Sequence, residues 1–412
     1  MPELVQDASL APPMGPYCYA VAAGGLVFLG GTPGTTADAL IVDGIPKGRM
    51  AGETPGRADM VAQTIQAIES IRYASKLAGA NWSNAIRFNL FLENWKEVDP
   101  FLKTYRGAIG VASPAETLTG YGLYQPSMIM EIDGILSLTE SHPISGPGFG
   151  AHPYLPVHAG KRTGNLVCLS AIMPIDERGN LISRGSAEAQ TRQVLMNLER
   201  IMHGAGAPLS DVVRLRVFIN DMRDYEAVQK TIDSTFTKDR PLCTIVGAGN
   251  PLEGARLMVE PTAYLGAKAY FDGPGNARAV RLGDLIFTNG VLPLEGDSVI
   301  AADQAAKQTR TVLTNLSKVL ERAGSSIRDV CQSQVSISDF RDYDDYNGVY
   351  TDFFQFPYAA RHTVQVGLGD SSQTGIRYQI EATAVVGAHQ NAKVVTAQDN
   401  FYHRRVALGR RA

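Results

Sequence analysis

The sequence lacks the features that mark several large classes of protein. Its formal net charge is only −3, and no run of lysine or arginine exceeds the short GRRA tail, so the charge pattern does not favour nucleic-acid binding. No apolar stretch approaches the roughly 18–20 residues that a membrane helix needs. The opening residues have neither the basic nor the apolar segment of a signal peptide. We therefore expect a globular, cytoplasmic protein without nucleic-acid or membrane partners.

Cysteines are few and widely separated. Cys18, Cys168, Cys243 and Cys331 form no Cys-x-x-Cys pair, and the seven histidines do not cluster at metal-ligand spacing. This pattern fits a reducing compartment and predicts neither structural disulfides nor a zinc site. We expect no metal and no cofactor. No histidine lies near Cys243 in the sequence, so a packing role is favoured over a nucleophilic one for this cysteine.

One segment is present three times. The stretches QTIQAIESIRYASKLAGA from Gln63, QTRQVLMNLERIMHGAGA from Gln190 and QTRTVLTNLSKVLERAGS from Gln308 align without a gap. Their matching glycines lie 127 and 118 residues apart, which is the size of a small domain rather than of a solenoid repeat. With boundaries in Gly/Pro-rich stretches, the sequence predicts units over 1–148, 149–270 and 271–390, and a C-terminal tail over 391–412.

Each unit shows the same order of predicted elements. An apolar helix ends at an Ala-Gly or Gly-Ala turn, an alternating strand follows, and a second helix comes after it. In the second unit Val213 and Leu215 lie on one face of that strand, and Arg214 and Arg216 lie on the other. The order β-β-α-β-α-β-β is not a strict βαβ alternation. It predicts an α+β fold with helices packed on one face of a mixed sheet.

These segments together resemble the YjgF/RidA family of imine and enamine deaminases. The runs APPMGPYCYAV and GGLVFLGG, the QTRxVLxNL helix and the closing IEATAV carry the resemblance, which covers nearly the whole chain. It implies chorismate-mutase-like domains that form a homotrimer with ligand clefts between neighbouring subunits. Three fused units would form that trimer within one chain, as a monomeric pseudo-trimer with three non-equivalent clefts. A dimer of such chains is the alternative.

The resemblance implies that the family's carboxylate-binding arginine is present in one unit. Arg361 in YAARHTV matches it, with Thr363 close behind, whereas Glu116 and Cys243 occupy that position in the other units. A guanidinium group binds a carboxylate through a planar bidentate fork. The third unit is therefore expected to hold a substrate carboxylate, and Glu116 is interpreted as a lost site. His362 alternates to the other face of the strand and is expected to point away from Arg361.

The other residues matched through the resemblance are spread over all three units. Tyr17 matches the family's cleft tyrosine and Glu131 its water-handling glutamate, which makes both catalytic candidates. Glu131 is either an exposed carboxylate or, if buried, a general base whose pKa is raised towards neutral pH. The further candidates for substrate binding are Ser170, Asn289, Asn347 and Gln379.

No unit contains the full set, so the units must complement one another. The favoured hypothesis combines Arg361 with Tyr17 and Glu131 in one cleft and predicts hydrolysis of a small carboxylate-bearing imine or enamine. Gln379 replaces the glutamate in the unit that retains the arginine, and glutamine cannot take a proton from water. This leaves a second hypothesis, a specialised pathway enzyme that catalyses non-hydrolytic cyclisation, isomerisation or lyase chemistry. A third is a small-molecule binding protein without turnover.

Overall fold

The structure is a computed structural model that describes residues 1–37, 57–125, 127–146, 148–150, 153–302, 304–369, 375–400 and 402–403. The described residues form three large sheets, each of which carries two long helices on one face. We call the parts of the chain that build them the first, second and third units. Among the described residues, none of the helices combines the length and the apolar character that a membrane span requires.

The first unit begins with a short strand and a two-stranded hairpin. Its strands are β1 (Glu3–Asp7), β2 (Ala20–Ala23), β3 (Leu26–Pro33), β4 (Ala85–Leu92), β5 (Ala115–Gly120) and β6 (Met130–Ser137), and its helices are α1 (Arg57–Leu77) and α2 (Val98–Ile109).

The second unit repeats this order. Its strands are β7 (His142–Ile144), β8 (Gly160–Thr163), β9 (Leu166–Leu169), β10 (Val212–Ile219), β11 (Leu242–Gly247) and β12 (Leu257–Tyr264), and its helices are α3 (Ala187–Gly204) and α4 (Tyr225–Thr235).

The third unit adds a small hairpin and a C-terminal strand. Its strands are β13 (Ala269–Asp272), β14 (Arg278–Leu282), β15 (Leu285–Thr288), β16 (Leu294–Glu295), β17 (Ser298–Val299), β18 (Val330–Ile337), β19 (Ala360–Gln365) and β20 (Tyr378–Val385), and its helices are α5 (Ala305–Arg322) and α6 (Tyr343–Phe353). Helix α7 (Ala388–Asn391) and strand β21 (Lys393–Ala397) follow.

The three sheets share one order of six strands, and the first sheet adds β1 at its edge. They run β1-β21-β2-β3-β6-β4-β5, β7-β8-β9-β12-β10-β11 and β13-β14-β15-β20-β18-β19. In each, the strand between the two helices pairs antiparallel with the closing strand and parallel with an edge strand. The sheets are therefore mixed, and the predicted α+β fold of three tandem chorismate-mutase-like domains is confirmed.

The repeated Gln-Thr pair has a structural reason. The side chain of Gln63, on α1, donates to the carbonyl of Ser127 and accepts from the amide of Ile129, just before the closing strand β6. Gln190 and Gln308 bond the backbone just before β12 and β20 in the same way. Each glutamine satisfies backbone groups that no strand partner covers, and so fixes where its closing strand begins.

After each closing strand, the chain crosses to the sheet of the next unit and adds a strand to it. After β6 the chain adds β7 to the second sheet, and after β12 it adds β13 to the third. After β20 it adds β21 to the first sheet, where β21 lies antiparallel to β2 and parallel to β1. The three units thus close into a ring, and the region predicted as a tail supplies the closing contact. The boundaries at 148, 270 and 390 stay a prediction.

The second face of each sheet is buried at the centre of the ring. All eight residues of β10 are buried, because Arg214 and Arg216 face the other units rather than solvent. Arg216 pairs with Glu381 of the third unit, and Arg87 pairs with Glu260 of the second, both at 2.9 Å. The helices cover one face of each sheet, and the other units cover the second.

Candidate active site

Arg361 lies on β19 at the junction of the third and first units. Its guanidinium donates from Nη1 to Oδ1 of Asn347 at 2.9 Å and from Nη2 to the hydroxyl of Tyr343 at 3.1 Å. Both partners lie on α6, one turn apart. The arginine is 2% exposed, so these bonds hold the cation in a buried and defined position.

Tyrosine rings surround this cation. Tyr343, Tyr346 and Tyr350 lie on one face of α6, and Tyr17 adds a ring from the first unit. Their centroids are 4.9–5.8 Å from the guanidinium carbon, within the range of cation–π contact. Burial raises the pKa of Tyr350 to about 12 and that of Tyr17 further. Among the described residues, no hydrogen bond or ion pair joins Arg361 to an acidic side chain.

Glu131 faces the same space from the first unit. It lies on β6 and is 9% exposed, so it is buried rather than on an open face. Burial raises its pKa to about 8, the charge of Asp133 raises it as well, and Arg361 lowers it. Its Oε1 atom has no hydrogen-bond partner among the described residues. Gly31 on β3 lies so close to the Glu131 carboxyl that a Cβ atom at position 31 would collide with it.

The space between these groups is a cavity of about 30 Å³, room for a water-sized guest. It is lined by Met14, Tyr17, Gly31, Pro33, Tyr124, Met128, Glu131, Tyr343, Arg361, His362 and Thr363. The buried hydroxyl of Thr363 has no described hydrogen-bond partner either. A larger ligand must displace side chains, of which Met14 and Tyr124 are only half-buried. Nowhere in the described ranges do three His, Cys, Asp or Glu side chains meet as a metal ion would require.

The aromatic side of this cavity extends beyond the tyrosines of α6. The rings of Tyr124 and Tyr343 lie 4.1 Å apart, and Phe340 packs edge-on against Tyr124 with a centroid distance of 5.6 Å. We call the junction with these groups the Arg361 cleft. It combines a buried cation, a buried acid, an unpartnered hydroxyl and an aromatic wall.

The junction of the first and second units, the Glu116 cleft, has an acid at the position that Arg361 occupies in the Arg361 cleft. The hydroxyl of Tyr105 donates to Glu116 at 3.0 Å, and burial raises the pKa of Glu116 to about 7. Ser170 accepts from the Glu116 amide and donates to the carbonyl of His158, so its hydroxyl is fully used. Met258 occupies the position of Glu131. The cavity there is about 10 Å³, at most the size of one water molecule.

The junction of the second and third units, the Cys243 cleft, is filled by amide side chains. Asn289 donates to the carbonyl of Asn276 at 2.9 Å, and Asn276 donates to the carbonyl of Gly290 at the same distance. Gln379 packs against Gly290 where the Arg361 cleft has Glu131. Burial raises the pKa of Cys243 to about 12, which keeps the thiol protonated and unreactive.

The structure thus divides the predicted site residues among three places. Arg361, Thr363, Asn347, Tyr17 and Glu131 meet in the Arg361 cleft. Ser170 lies in the Glu116 cleft, and Asn289 and Gln379 lie in the Cys243 cleft. His362 faces away from the guanidinium yet still lines the cavity. The catalytic and binding roles of these residues stay predictions.

The sequence interpretation missed the tyrosines of α6. Tyr343, Tyr346 and Tyr350 recur at helical spacing in YDDYNGVY, and the corresponding positions of the second unit hold only one tyrosine, Tyr225. Three tyrosines on one helical face of a single unit are a signal that would have marked the lining of the Arg361 cleft. Tyr124 lies in a loop, and no pattern in the sequence marks it.

Comparison with known proteins agrees with the threefold repeat. The family model described as Endoribonuclease L-PSP matches residues 8–137, 150–264 and 273–386. The 3-aminoacrylate deaminase RutC of Acinetobacter baylyi is 37% identical over 101 residues, which are 24% of this chain and 78% of the relative. A RutC family protein of Pyrococcus horikoshii is 29% identical over 112 residues, 27% of this chain and 89% of the relative.

A solved chorismatase structure resembles a larger part of the chain. It is 15% identical, covers 74% of this chain and 93% of its own, and gives a TM-score of 0.53. At this identity the match concerns the fold. The likeness in fold therefore extends over more than one of the three units.

Proposed function

The chain belongs to the Endoribonuclease L-PSP family, as three fused and diverged copies of the YjgF/RidA type, and from this membership we propose that its Arg361 cleft hydrolyses a small imine or enamine that carries a carboxylate. The observation that carries the proposal is the buried guanidinium of Arg361, without a described acidic partner, beside two unpartnered acceptors on Glu131 and Thr363. A buried cation is costly unless an anion neutralises it, and a substrate carboxylate supplies that anion.

Binding through Arg361 fixes one end of the substrate. Asn347 and Tyr343 hold two guanidinium nitrogens, so the substrate carboxylate approaches a fork that is already oriented. Such pre-orientation lowers the entropic cost of reaching the transition state. Thr363 lies on the same strand face and is in place to donate its hydroxyl to the bound carboxylate or to a water molecule.

Glu131 supplies the proton transfers. Its pKa of about 8 keeps it mostly protonated at neutral pH, so it first donates its proton to the enamine carbon or the imine nitrogen. The resulting iminium carbon is attacked by water, and the Glu131 carboxylate takes a proton from that water. The C–O bond forms and gives a carbinolamine. Glu131 then passes its proton to the amine nitrogen, the C–N bond breaks to release ammonia, and the hydroxyl proton returns to Glu131 as the carbonyl forms. Imine plus water thus balances carbonyl plus ammonia, with Glu131 returned to its starting state.

The relative named 3-aminoacrylate deaminase supports this substrate class, because that name describes an enamine with a carboxylate. We expect the substrate of this chain to differ from 3-aminoacrylate, since the α6 tyrosines of the Arg361 cleft are not repeated at the corresponding positions of the second unit.

A second candidate is non-hydrolytic chemistry on a larger, ring-bearing carboxylate. The wall of Tyr124, Phe340 and Tyr343 favours it, because aromatic rings stack on flat unsaturated ligands. In that case Arg361 has the same anchoring role, and Glu131 moves a proton within the substrate rather than to and from water.

Ammonia release from freshly generated 2-aminoacrylate, and from 3-aminoacrylate, tests the first candidate. We expect a rate above the spontaneous background in the wild type and a loss of about 100-fold in Arg361→Ala. Glu116→Ala, which removes the side chain at the matching position of another junction, is the control and should retain the rate. A wild type without activity above background would overturn hydrolysis and leave the ring-bearing substrate.

A further inference from the structure

A buried pair of titratable groups lies behind the Arg361 cleft. His362 follows Arg361 on β19, and its Nδ1 atom contacts Oδ2 of Asp133 across the junction between the third and first units. Both side chains are almost fully buried, at 2% and 0% exposure. Because a carboxylate only accepts hydrogen bonds, His362 is the donor. Asn89 donates to the other oxygen of Asp133 at 2.7 Å.

The pair lies next to Glu131. Asp133 is two residues further along β6 and therefore on the same strand face. Gly31 contacts both groups, since a Cβ atom built there would collide with the Glu131 carboxyl and lie 2.8 Å from the Cβ of His362. The charge of Asp133 adds to burial in raising the pKa of Glu131. The charge of Asp133 is therefore felt at the acid that lines the cavity.

At the other two junctions a permanent cation neutralises the corresponding buried acid. The acid that corresponds to Asp133 pairs there with arginine, as Glu260 with Arg87 and Glu381 with Arg216. Threonines, Thr117 and Thr244, occupy the positions of His362. A guanidinium is always charged and would cancel the field of the carboxylate. Among the described residues, an imidazole contacts this acid only at the junction that contains Glu131.

We propose that His362 and Asp133 form a positioning pair that keeps Glu131 protonated, and so able to donate its proton, at neutral pH. The proposal rests on the proton-donor role of Glu131 given above. His362 and Asn89 hold the Asp133 carboxylate in place, and Asp133 opposes ionisation of its neighbour. The ring of Phe91, at 5.0 Å from the imidazole, and two cations also lie around the pair.

Those two cations oppose the effect of the pair. Arg361 lowers the pKa of Glu131 directly, and Arg216 interacts with Asp133 from the second unit. Arg216 is already engaged by Glu260 and Glu381, so its charge is largely compensated. Two opposing charges therefore act on the pKa of Glu131, since Asp133 raises it and Arg361 lowers it. The substrate carboxylate neutralises Arg361 on binding.

Infrared difference spectroscopy reports the protonation of Glu131 without using activity. The spectrum of the wild type minus that of Glu131→Gln isolates the carboxyl band, which is followed between about pH 5 and pH 10. Each further variant is measured against its own Glu131→Gln double variant. We expect Asp133→Asn to lower the midpoint of Glu131 by at least about one pH unit, because a neighbouring negative charge is removed.

His362 variants test the positioning role separately. We expect His362→Ala to lower the midpoint too, because the Asp133 carboxylate, without its donor, is no longer held beside Glu131. His362→Asn restores a donor and should return the midpoint towards the wild-type value. Thr244→Val, which removes the corresponding hydrogen bond to Glu381 at another junction, is the matched control and should leave the midpoint unchanged.

The outcomes separate this proposal from the proposed function. A midpoint that stays unchanged in both Asp133→Asn and His362→Ala would overturn the positioning pair even if the protein releases ammonia. A shifted midpoint in a protein without ammonia release would support the pair and overturn hydrolysis. If Asp133→Asn does not fold, the comparison of His362→Ala with His362→Asn decides. In an active protein, the alkaline limb of the kcat/KM profile should move with the midpoint.

Discussion

The Arg361 cleft and the Glu116 cleft are built from the same elements and have opposite chemistry. In each cleft, an edge strand of one unit faces the opening strands of the next unit. A helix of the unit that supplies the edge strand covers Arg361 in one cleft and Glu116 in the other. One cleft holds a buried cation beside a buried acid, and the other holds a half-buried acid beside Met258. In a homotrimer the three clefts must be identical, so this difference is available only to a fused chain.

The covering helix explains how the two clefts diverged. Tyr350 on α6 and Tyr105 on α2 occupy corresponding positions. Tyr350 places its ring 4.9 Å from the Arg361 guanidinium, whereas Tyr105 donates its hydroxyl to Glu116. The same tyrosine therefore serves a cation through its ring face in one cleft and an acid through its hydroxyl in the other. The second arrangement gives the acid a hydrogen-bond donor within its own unit.

The largest difference between the clefts should come from their acids. We expect Glu131→Gln to reduce the deaminase kcat/KM by about 10²–10⁴-fold, the usual contribution of a proton-transferring residue. Since the protonated form of Glu131 starts the reaction, wild-type activity should also fall as the pH rises through about 8. Steady-state ammonia release from pH 6 to pH 9 checks both, and Glu116→Gln provides the control for loss of a buried acid. Equal losses in the two variants would contradict the assignment.

The closing strand should matter more to the Arg361 cleft than to the others. The third and first units meet through β21, in which Val395 is fully buried. We expect Val395→Asp to lower the free energy of unfolding by about 3 kcal/mol. In the chain that remains folded, we expect kcat/KM to fall about tenfold or more, because the two halves of the site lose their alignment.

Ile144→Asp is the matched change in β7, the strand that crosses between the first and second units. It should lower the denaturation midpoint and leave kcat/KM of the folded chain unaltered. Denaturant titrations and ammonia release at one temperature compare the two variants. If Ile144→Asp impairs activity as strongly as Val395→Asp, the junctions are coupled and the clefts are not independent.

A smaller effect should follow from changing Tyr17 to Phe. The Tyr17 ring remains against Arg361, and only the hydroxyl, which accepts from the amide of Met14 at 3.3 Å, is removed. We expect a loss of about 5-fold in kcat/KM, the effect of one hydrogen bond. Steady-state kinetics of Tyr17→Phe and Tyr17→Leu separate the contribution of the hydroxyl to kcat/KM from that of the ring. An equally small effect of Tyr17→Leu would argue against a role for the ring.

The smallest effect on activity should come from Glu116→Gln, which we expect to leave kcat/KM unchanged. Its effect is on stability. The pKa of Glu116 is raised from 4.5 to about 7, so the stability it contributes is present below about pH 4.5 and is lost as the pH rises through 7. In Glu116→Gln the free energy of unfolding should no longer fall with rising pH at this site, a difference of up to about 3 kcal/mol. Denaturant midpoints at pH 5 and pH 8 measure it, and an unaltered pH dependence would count against a buried, uncharged Glu116.

Much of the fold followed from the sequence, because three aligned copies repeat the same periodicity and the same glycine turns. The positions of Arg361, Tyr17 and Glu131 also followed, since each matches a short motif. Their meeting in one cleft was a hypothesis, because sequence spacing says nothing about which units face each other across a ring. The pairing of His362 with Asp133 and the stacking of Tyr124 could not be predicted either, since both arise from contacts between units.

The central claim is that one cleft of three has kept the chemistry, and counting ligand sites tests it most directly. Isothermal titration with pyruvate, the product that hydrolysis of 2-aminoacrylate releases, gives the number of sites in a chain. The account predicts a single site that disappears in Arg361→Ala and persists in Glu116→Gln. Several equivalent sites, or a site that survives Arg361→Ala, would contradict it.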